Sequence, residues 1–206
     1  DKAMDSLDTY QWLAFTSPTG VKVFFKALRA HGKDIRALGT VKIASIGKGT
    51  SRELEKLGLY ADLMPDVFDG EHLGEALYEA AAEHDRILIP RAEIGNHELI
   101  DALQKGKNLT VTDVPTYTTV YTKEQAVDQE KLFGEKDNVM AVFTSASTVR
   151  GFASACPDLD FTKVKAACIG KQTQAEAAKL GMTTYVSKEA SMDSLVELIC
   201  ETAAAR

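Results

Sequence analysis

Cysteine is scarce in this sequence and follows no pattern. Cys156, Cys168 and Cys200 are an odd number without CxxC spacing, which excludes a disulfide framework and suits small buried residues in a reducing compartment. The four histidines, His31, His72, His84 and His97, show no ligand spacing with one another or with cysteine, so no metal is expected. No apolar run approaches the roughly 20 residues that span a bilayer, and no signal-peptide pattern opens the chain. A cytoplasmic protein without membrane contact is the expectation. Positive charge is in deficit, 24 Lys and Arg against 30 Asp and Glu for a net charge of −6, which argues against a nucleic-acid surface.

The nucleotide loops are missing as well. A P-loop needs a glycine five residues before its Gly-Lys pair, but Lys42 and Lys165 occupy those positions; Arg52 stands where a GxGxxG third glycine belongs. No Ser-His-Asp order and no convincing carboxylate pair occur.

What is present is a repeat. Val41-Lys42-Ile43-Ala44-Ser45-Ile46-Gly47-Lys48-Gly49-Thr50 returns as Val164-Lys165-Ala166-Ala167-Cys168-Ile169-Gly170-Lys171-Gln172-Thr173, identical at seven of ten positions. The likeness continues through Glu53 and Glu176 to Lys56-Leu57-Gly58 and Lys179-Leu180-Gly181. Each copy reads as a short strand, a glycine turn, and a helix opened by Thr and closed by Gly. Phe15-Thr16-Ser17 with Val21 and Phe24 is echoed by Phe143-Thr144-Ser145 with Val149 and Phe152. With 206 residues, 45% hydrophobic and 26% charged, the chain suits one large domain or two small ones, and two related strand–turn–helix halves explain the pattern best.

Taken in order, strands are expected at 10–15, 41–46, 60–64, 86–89 (ended by Pro90 and Arg91) and 109–114, with amphipathic helices between them. Such alternation points to a doubly wound parallel sheet, because parallel strands need crossover helices. Residues 116–122 read as a β-prone crossing between halves, followed by a charged stretch or helix at 123–137. The second half offers strands 138–143, 164–169 and 183–186, helices 146–156 and 173–180, and a last helix with Met192, Leu195, Leu198 and Ile199 on its apolar face. The expected organisation is α/β: a complete lobe over 1–116, a β linker over 117–122, and a second lobe over 123–206 that lacks one strand–helix–strand. Either that piece precedes residue 1, as the opening Asp favours, or another chain supplies it.

Thr16-Ser17 and Thr144-Ser145 lie at the carboxyl ends of strands, the edge where open α/β sheets bind ligands. Helix starts reinforced by hydroxyls suit carboxylates or phosphates, although N-capping alone explains any single one. Thr50-x-x-Glu53 and Thr173-x-x-Glu176 have the form of capping boxes, which would occupy both hydroxyls. Lys48, Lys171, Arg91 and Arg150 adjoin these turns, Arg91 being the best placed to meet an anion. The residues by themselves lead to a two-lobed binder of an anionic small molecule.

The ordered set Trp12-Leu13-Ala14-Phe15-Thr16-Ser17, Ile46-Gly47 with Thr50, Ile89-Pro90-Arg91, Tyr117-x-Thr119, Phe143-Thr144-Ser145 and Ile169-Gly170 with Thr173 resembles the uroporphyrinogen-III synthase family over essentially the whole chain. The resemblance implies two flavodoxin-like lobes joined by a β connection, with the site in the cleft between them. It implies a cofactor-independent, cyclising hydro-lyase that closes hydroxymethylbilane, an eight-carboxylate linear tetrapyrrole, with inversion of the terminal ring. Ser17, Thr50, Ser145 and Thr173, with Thr16, Arg91, Thr144 and Lys171 nearby, would bind substrate. Tyr117 would be the acid for the departing hydroxyl, since a tyrosine with a reference pKa of about 10 is protonated at neutral pH. Similar modules occur fused behind a uroporphyrinogen methyltransferase, the one protein partner implied. A non-catalytic two-lobed binding protein is the alternative. A flavodoxin-like FMN or signalling module would need a phosphate loop or an acidic phospho-acceptor site, and neither is evident.

Overall fold

The computed structural model describes residues 1–95, 97–121 and 139–204. The chain divides into two compact units, Asp1–Thr118 and Thr119–Arg206. The charged stretch expected at 123–137 lies outside the described residues.

In the first unit, β1 (Trp12–Phe15), β2 (Lys42–Ser45), β3 (Arg86–Ala92) and β4 (Thr110–Tyr117) form a parallel sheet in the order β2-β1-β3-β4. The helices are a short α1 (Lys2–Asp5), α2 (Pro18–Ala30), α3 (Lys48–Glu55), α4 (Gly70–Ala80) and α5 (Glu98–Leu103). Alternation along β1 fills both faces of the sheet. Leu13 and Phe15 join Phe24, Phe25 and Leu28 of α2 with Ile43, Leu54 and Leu88. Trp12 and Ala14 join Leu73 and Leu77 of α4 with Ile87, Ile89, Leu99 and Leu103. Such fully buried side chains contribute about 1.5–3 kcal/mol each, and covering both faces requires the doubly wound arrangement. Phe15 and Phe24 meet edge to face at 5.5 Å.

Three expectations need correction here. The strand at 60–64 reduces to one bridge, Leu63 beside Ala44, because the Asp62 carboxylate takes the Ile43 N–H at 2.7 Å and Tyr60 is exposed. β3 does not stop at Pro90 but continues to Ala92. Its pairing with β1 ends at Leu88, so Pro90 lies where β4 alone holds the strand, a position that tolerates a missing N–H. β4 in turn runs to Tyr117, so Tyr117 belongs to the first unit's sheet rather than to a connection.

The second unit carries β5 (Met140–Phe143), β6 (Lys165–Cys168) and β7 (Thr183–Val186), parallel and in that order. Its helices are α6 (Ala146–Ala155), α7 (Lys171–Lys179) and α8 (Met192–Ala204). Phe143, Val149, Val164, Ala166, Cys168, Ala177 and Met182 make its core. In α8 Leu195 is buried, but Met192, expected on the same face, is exposed. Both repeated helices end alike: Gly58 and Gly181 take φ of 74° and 83°, the left-handed turn that frees Leu59 N–H to reach Leu54 O and Met182 N–H to reach Ala177 O.

Candidate functional site

At the carboxyl edge of the first sheet, β1 ends and the chain turns through Thr16 and Ser17 into α2. Ser17 is the N-cap, and its Oγ accepts the Gly20 N–H at 2.9 Å. The close fit at Gly20 follows from the packing: a Cβ there would lie 3.2 Å from the Pro90 carbonyl oxygen and from Ser17 Oγ. The second contact of Ser17 Oγ is the phenol of Tyr117, at 2.7 Å. Tyr117 reaches it from the end of β4, with β3 between their strands. Both residues are half-buried. The structure thus brings together two site residues from opposite ends of the unit's sequence.

Thr50 and Thr173 are not helix-opening caps. Gly47 and Gly170 hold the N-cap positions with extended backbones, and each threonine lies in the first turn. A glycine carbonyl is enough to start the helix, as Gly47 O accepts from Thr50 N and Ser51 N, both at 3.0 Å. The glutamates serve elsewhere: Glu53 pairs with Lys56 and Lys22, and Glu176 with Lys179 and Arg150. Both threonines are buried, and among the described residues neither hydroxyl forms a hydrogen bond. Gly47 is required by Phe68, whose Cγ would lie 2.9 Å from an added Cβ. Lys48 stacks its ammonium over that ring at 5.7 Å. Lys171, its counterpart, is exposed.

In the second unit Ser145 caps α6, accepting Thr148 N–H at 3.3 Å, while Thr148 Oγ1 accepts Ser145 N–H at 3.3 Å. Here the capping box is real, closed by threonine rather than glutamate. Ser147 Oγ lies 2.9 Å from Ser145 Oγ, and Thr144 is exposed. Arg150 is occupied: its Nε donates to Tyr121 OH at 3.1 Å and its Nη1 is 3.4 Å from Glu176.

Arg91 already has a partner within the sheet. Its side chain is buried and forms a two-pronged pair with Asp113, Nε at 2.7 Å and Nη2 at 2.8 Å. The Asp113 carboxylate holds the guanidinium still more firmly protonated. Nη2 also lies 3.4 Å from His97 Nδ1, beside α5. Arg91 therefore fastens β3 to β4 and is no open cation. Nothing local to the Thr-Val-Thr-Asp-Val run says that Asp113, whose side chain is part-exposed, pairs with a cation on the next strand. Among the described residues no group of three His, Cys, Asp or Glu side chains is placed to hold a metal, and no helix is long and apolar enough to cross a membrane.

Parallel sheets covered by helices, with hydroxyl-bearing helix starts at their carboxyl edges, define an α/β protein of parallel sheets and crossover helices. The chain matches the family described as Uroporphyrinogen-III synthase HemD over residues 1–197, and it belongs to that family. It is 32% identical over 199 residues to the Porphyrin biosynthesis protein HemD of Ruminiclostridium josui, covering 97% of this chain and 39% of that protein. It is 27% identical over 201 residues to the chloroplastic uroporphyrinogen-III synthase of Oryza sativa subsp. japonica, covering 94% of this chain and 64% of that one. The chain thus spans less than two thirds of these relatives. A crystal structure of a mutant uroporphyrinogen III synthase from the extreme thermophile Thermus thermophilus superposes with a TM-score of 0.65 at 18% identity, covering 100% of this chain and 83% of that one. This is the same fold.

Proposed function

We propose that this chain is a cofactor-independent uroporphyrinogen-III synthase, which closes hydroxymethylbilane into uroporphyrinogen III with loss of water. Family membership supports the reaction class. The observation that carries the chemistry is the 2.7 Å contact between Tyr117 OH and Ser17 Oγ.

Gly20 N–H donates into Ser17 Oγ, and either hydroxyl of the Ser17–Tyr117 contact can donate; in the arrangement proposed for catalysis Ser17 donates to the Tyr117 oxygen, which frees the phenolic hydrogen for the substrate's hydroxyl. Transfer of that proton releases water and leaves an electrophilic azafulvenium cation beside the phenolate. The terminal pyrrole attacks it through its substituted carbon, giving a spiro intermediate that reopens and closes inverted. The proton lost as the last ring regains aromaticity returns to Tyr117, so the enzyme ends as it began. Ser17, backed by the first-turn N–H of α2, meets the charge left on the phenolic oxygen in between.

The pyrroles supply the reactivity, so holding them in one geometry is the larger task. Helix starts at Thr16-Ser17, Thr50, Thr144-Ser145 and Lys171–Thr173 each suit a substrate carboxylate, and the unbonded hydroxyls of Thr50 and Thr173 are its donors. The test is incubation with fresh hydroxymethylbilane, oxidation, and separation of porphyrin isomers. Isomer III at a rate above spontaneous closure is expected; isomer I alone, at the enzyme-free rate, overturns the reading.

A further inference from the structure

We infer that Thr116 is the positioning residue for Tyr117: as the extra residue of a β-bulge, it turns the phenol onto the face of the sheet where Ser17 lies. Side chains alternate along a strand, and residues paired across neighbouring strands point to the same face. In β3, Ile87 and Ile89 pack on the α4 and α5 side, while Leu88 packs on the α2 side. In β4, Val111 packs on the α4 and α5 side; Thr112 Oγ1 accepts from Tyr10 OH, and Val114 packs with α2. Asp113 and its partner Arg91 continue the first set toward α5, where His97 stands. Simple alternation would send Tyr117 to that same face, away from α2.

It does not go there. Pairing runs one to one as far as Arg91 with Pro115, and the next pair is Ala92 with Tyr117. One step along β3 therefore matches two along β4, and Thr116 is the residue left over, the signature of a bulge. Tyr117 thereby takes the face of Ala92, which alternation from Leu88 places on the α2 side, and its bond to Ser17 independently agrees. The extra residue is tied down by its own hydroxyl: Thr116 Oγ1 donates to Arg91 O at 3.1 Å. Below it the Arg91–Asp113 pair clamps the two strands, and above it Tyr117 O accepts Glu93 N–H at 2.8 Å. Bulges beside active sites commonly re-aim a side chain in this way.

The effect on turnover rests on the proposed synthase reading; the geometry does not, so two readouts are needed. In the full chain labelled at the tyrosine ζ-carbon, Tyr117→Phe identifies the Tyr117 resonance, and Ser17→Ala is expected to move it. Thr116→Val should shift that resonance and reduce the further effect of Ser17→Ala to less than a third, while Thr116→Ser restores both. An undiminished Ser17→Ala shift in the Thr116→Val background overturns the inference. With hydroxymethylbilane, Thr116→Val should lower kcat for isomer III at least tenfold with KM changed less than twofold, and have less than a threefold effect once Tyr117 is Phe. An equal loss in both backgrounds makes Thr116 merely structural and also overturns it. A chain that makes no isomer III defeats the synthase reading, and the resonance experiment then decides the bulge alone.

Discussion

The hydroxyl of Ser17 is shared between two partners that the sequence keeps far apart: the Gly20 N–H of its own helix at 2.9 Å, and the Tyr117 phenol at 2.7 Å. The contact gives Tyr117→Phe and Ser17→Ala different signatures. Tyr117→Phe removes the proposed acid but no cap. It should lower turnover by about 10²–10⁴-fold with an unchanged melting temperature. Ser17→Ala removes the N-cap as well, at about 1 kcal/mol, so it should lose both stability and turnover. Full isomer III formation by Tyr117→Phe would take Tyr117 out of the mechanism.

The pair between Arg91 and Asp113 predicts a stability phenotype where sequence reasoning expects a binding one. Arg91 is buried and two-pronged, and its removal leaves Asp113 without its partner between two strands. The Asp113 carboxylate is part-exposed and regains water, so Arg91→Met should cost about 1.5–3 kcal/mol, the range of lost hydrogen bonds to a charged group, read by denaturant unfolding, and Arg91→Lys should not rescue it because a single ammonium cannot reproduce the fork. Joint replacement of both residues by apolar ones should cost less than the sum of the single changes. If Arg91→Met instead keeps its stability and raises KM tenfold, the residue faces the ligand after all.

The doubled motif was legible because it is local: a short apolar run, a glycine, and a helix of matching period recur with the same residue types, and both copies fold alike down to the left-handed Gly58 and Gly181. The caps at Gly47 and Gly170 escape a local reading for a related reason. Thr-x-x-Glu is a valid local signature, but it cannot show that Gly47 starts the helix with its backbone while Lys56 and Lys22 claim Glu53. The end of β4 was harder. A bulge adds one residue without altering composition, so the Tyr-Thr-Thr run read as a connection although its first residue completes a strand. The pairing of Arg91 was hidden because Asp113 lies on a neighbouring strand, and adjacency across a sheet is invisible until the strand order is known.

Two glycines should respond oppositely to alanine. A Cβ on Gly74 would lie 2.6 Å from Ala102 Cβ and 2.8 Å from Leu99 O, where α4 crosses α5. Overpacking costs about 1–3 kcal/mol, which outweighs the roughly 1 kcal/mol that alanine gains in a helix. Among the described residues Gly49 in α3 has only Pro18 Cγ nearby, at 3.8 Å, and the repeat carries Gln172 in its place. Gly74→Ala should therefore lower the melting temperature and Gly49→Ala hold or raise it. A stable Gly74→Ala variant would mean that α4 and α5 pack less closely than described.

The three thiols should separate by reactivity. Cys200 is exposed, whereas Cys156 and Cys168 are buried; burial raises both pKa values, that of Cys168 to about 11. A thiolate is the reactive form, so a water-soluble thiol reagent at pH 8 should label one cysteine per native chain and three per unfolded chain, and Cys200→Ser should abolish the fast reaction. The linkage has a definite sign. In the unfolded chain a cysteine ionises near 8.5, so the contribution of the neutral Cys168 thiol is fully present below about pH 8.5 and is lost as pH rises toward about 11. Cys168→Ala should flatten the fall of melting temperature across that window, whatever its packing cost at pH 7. Rapid labelling of Cys168 at pH 8 in the folded chain would show that solvent reaches β6, and the alkaline prediction would fail with it.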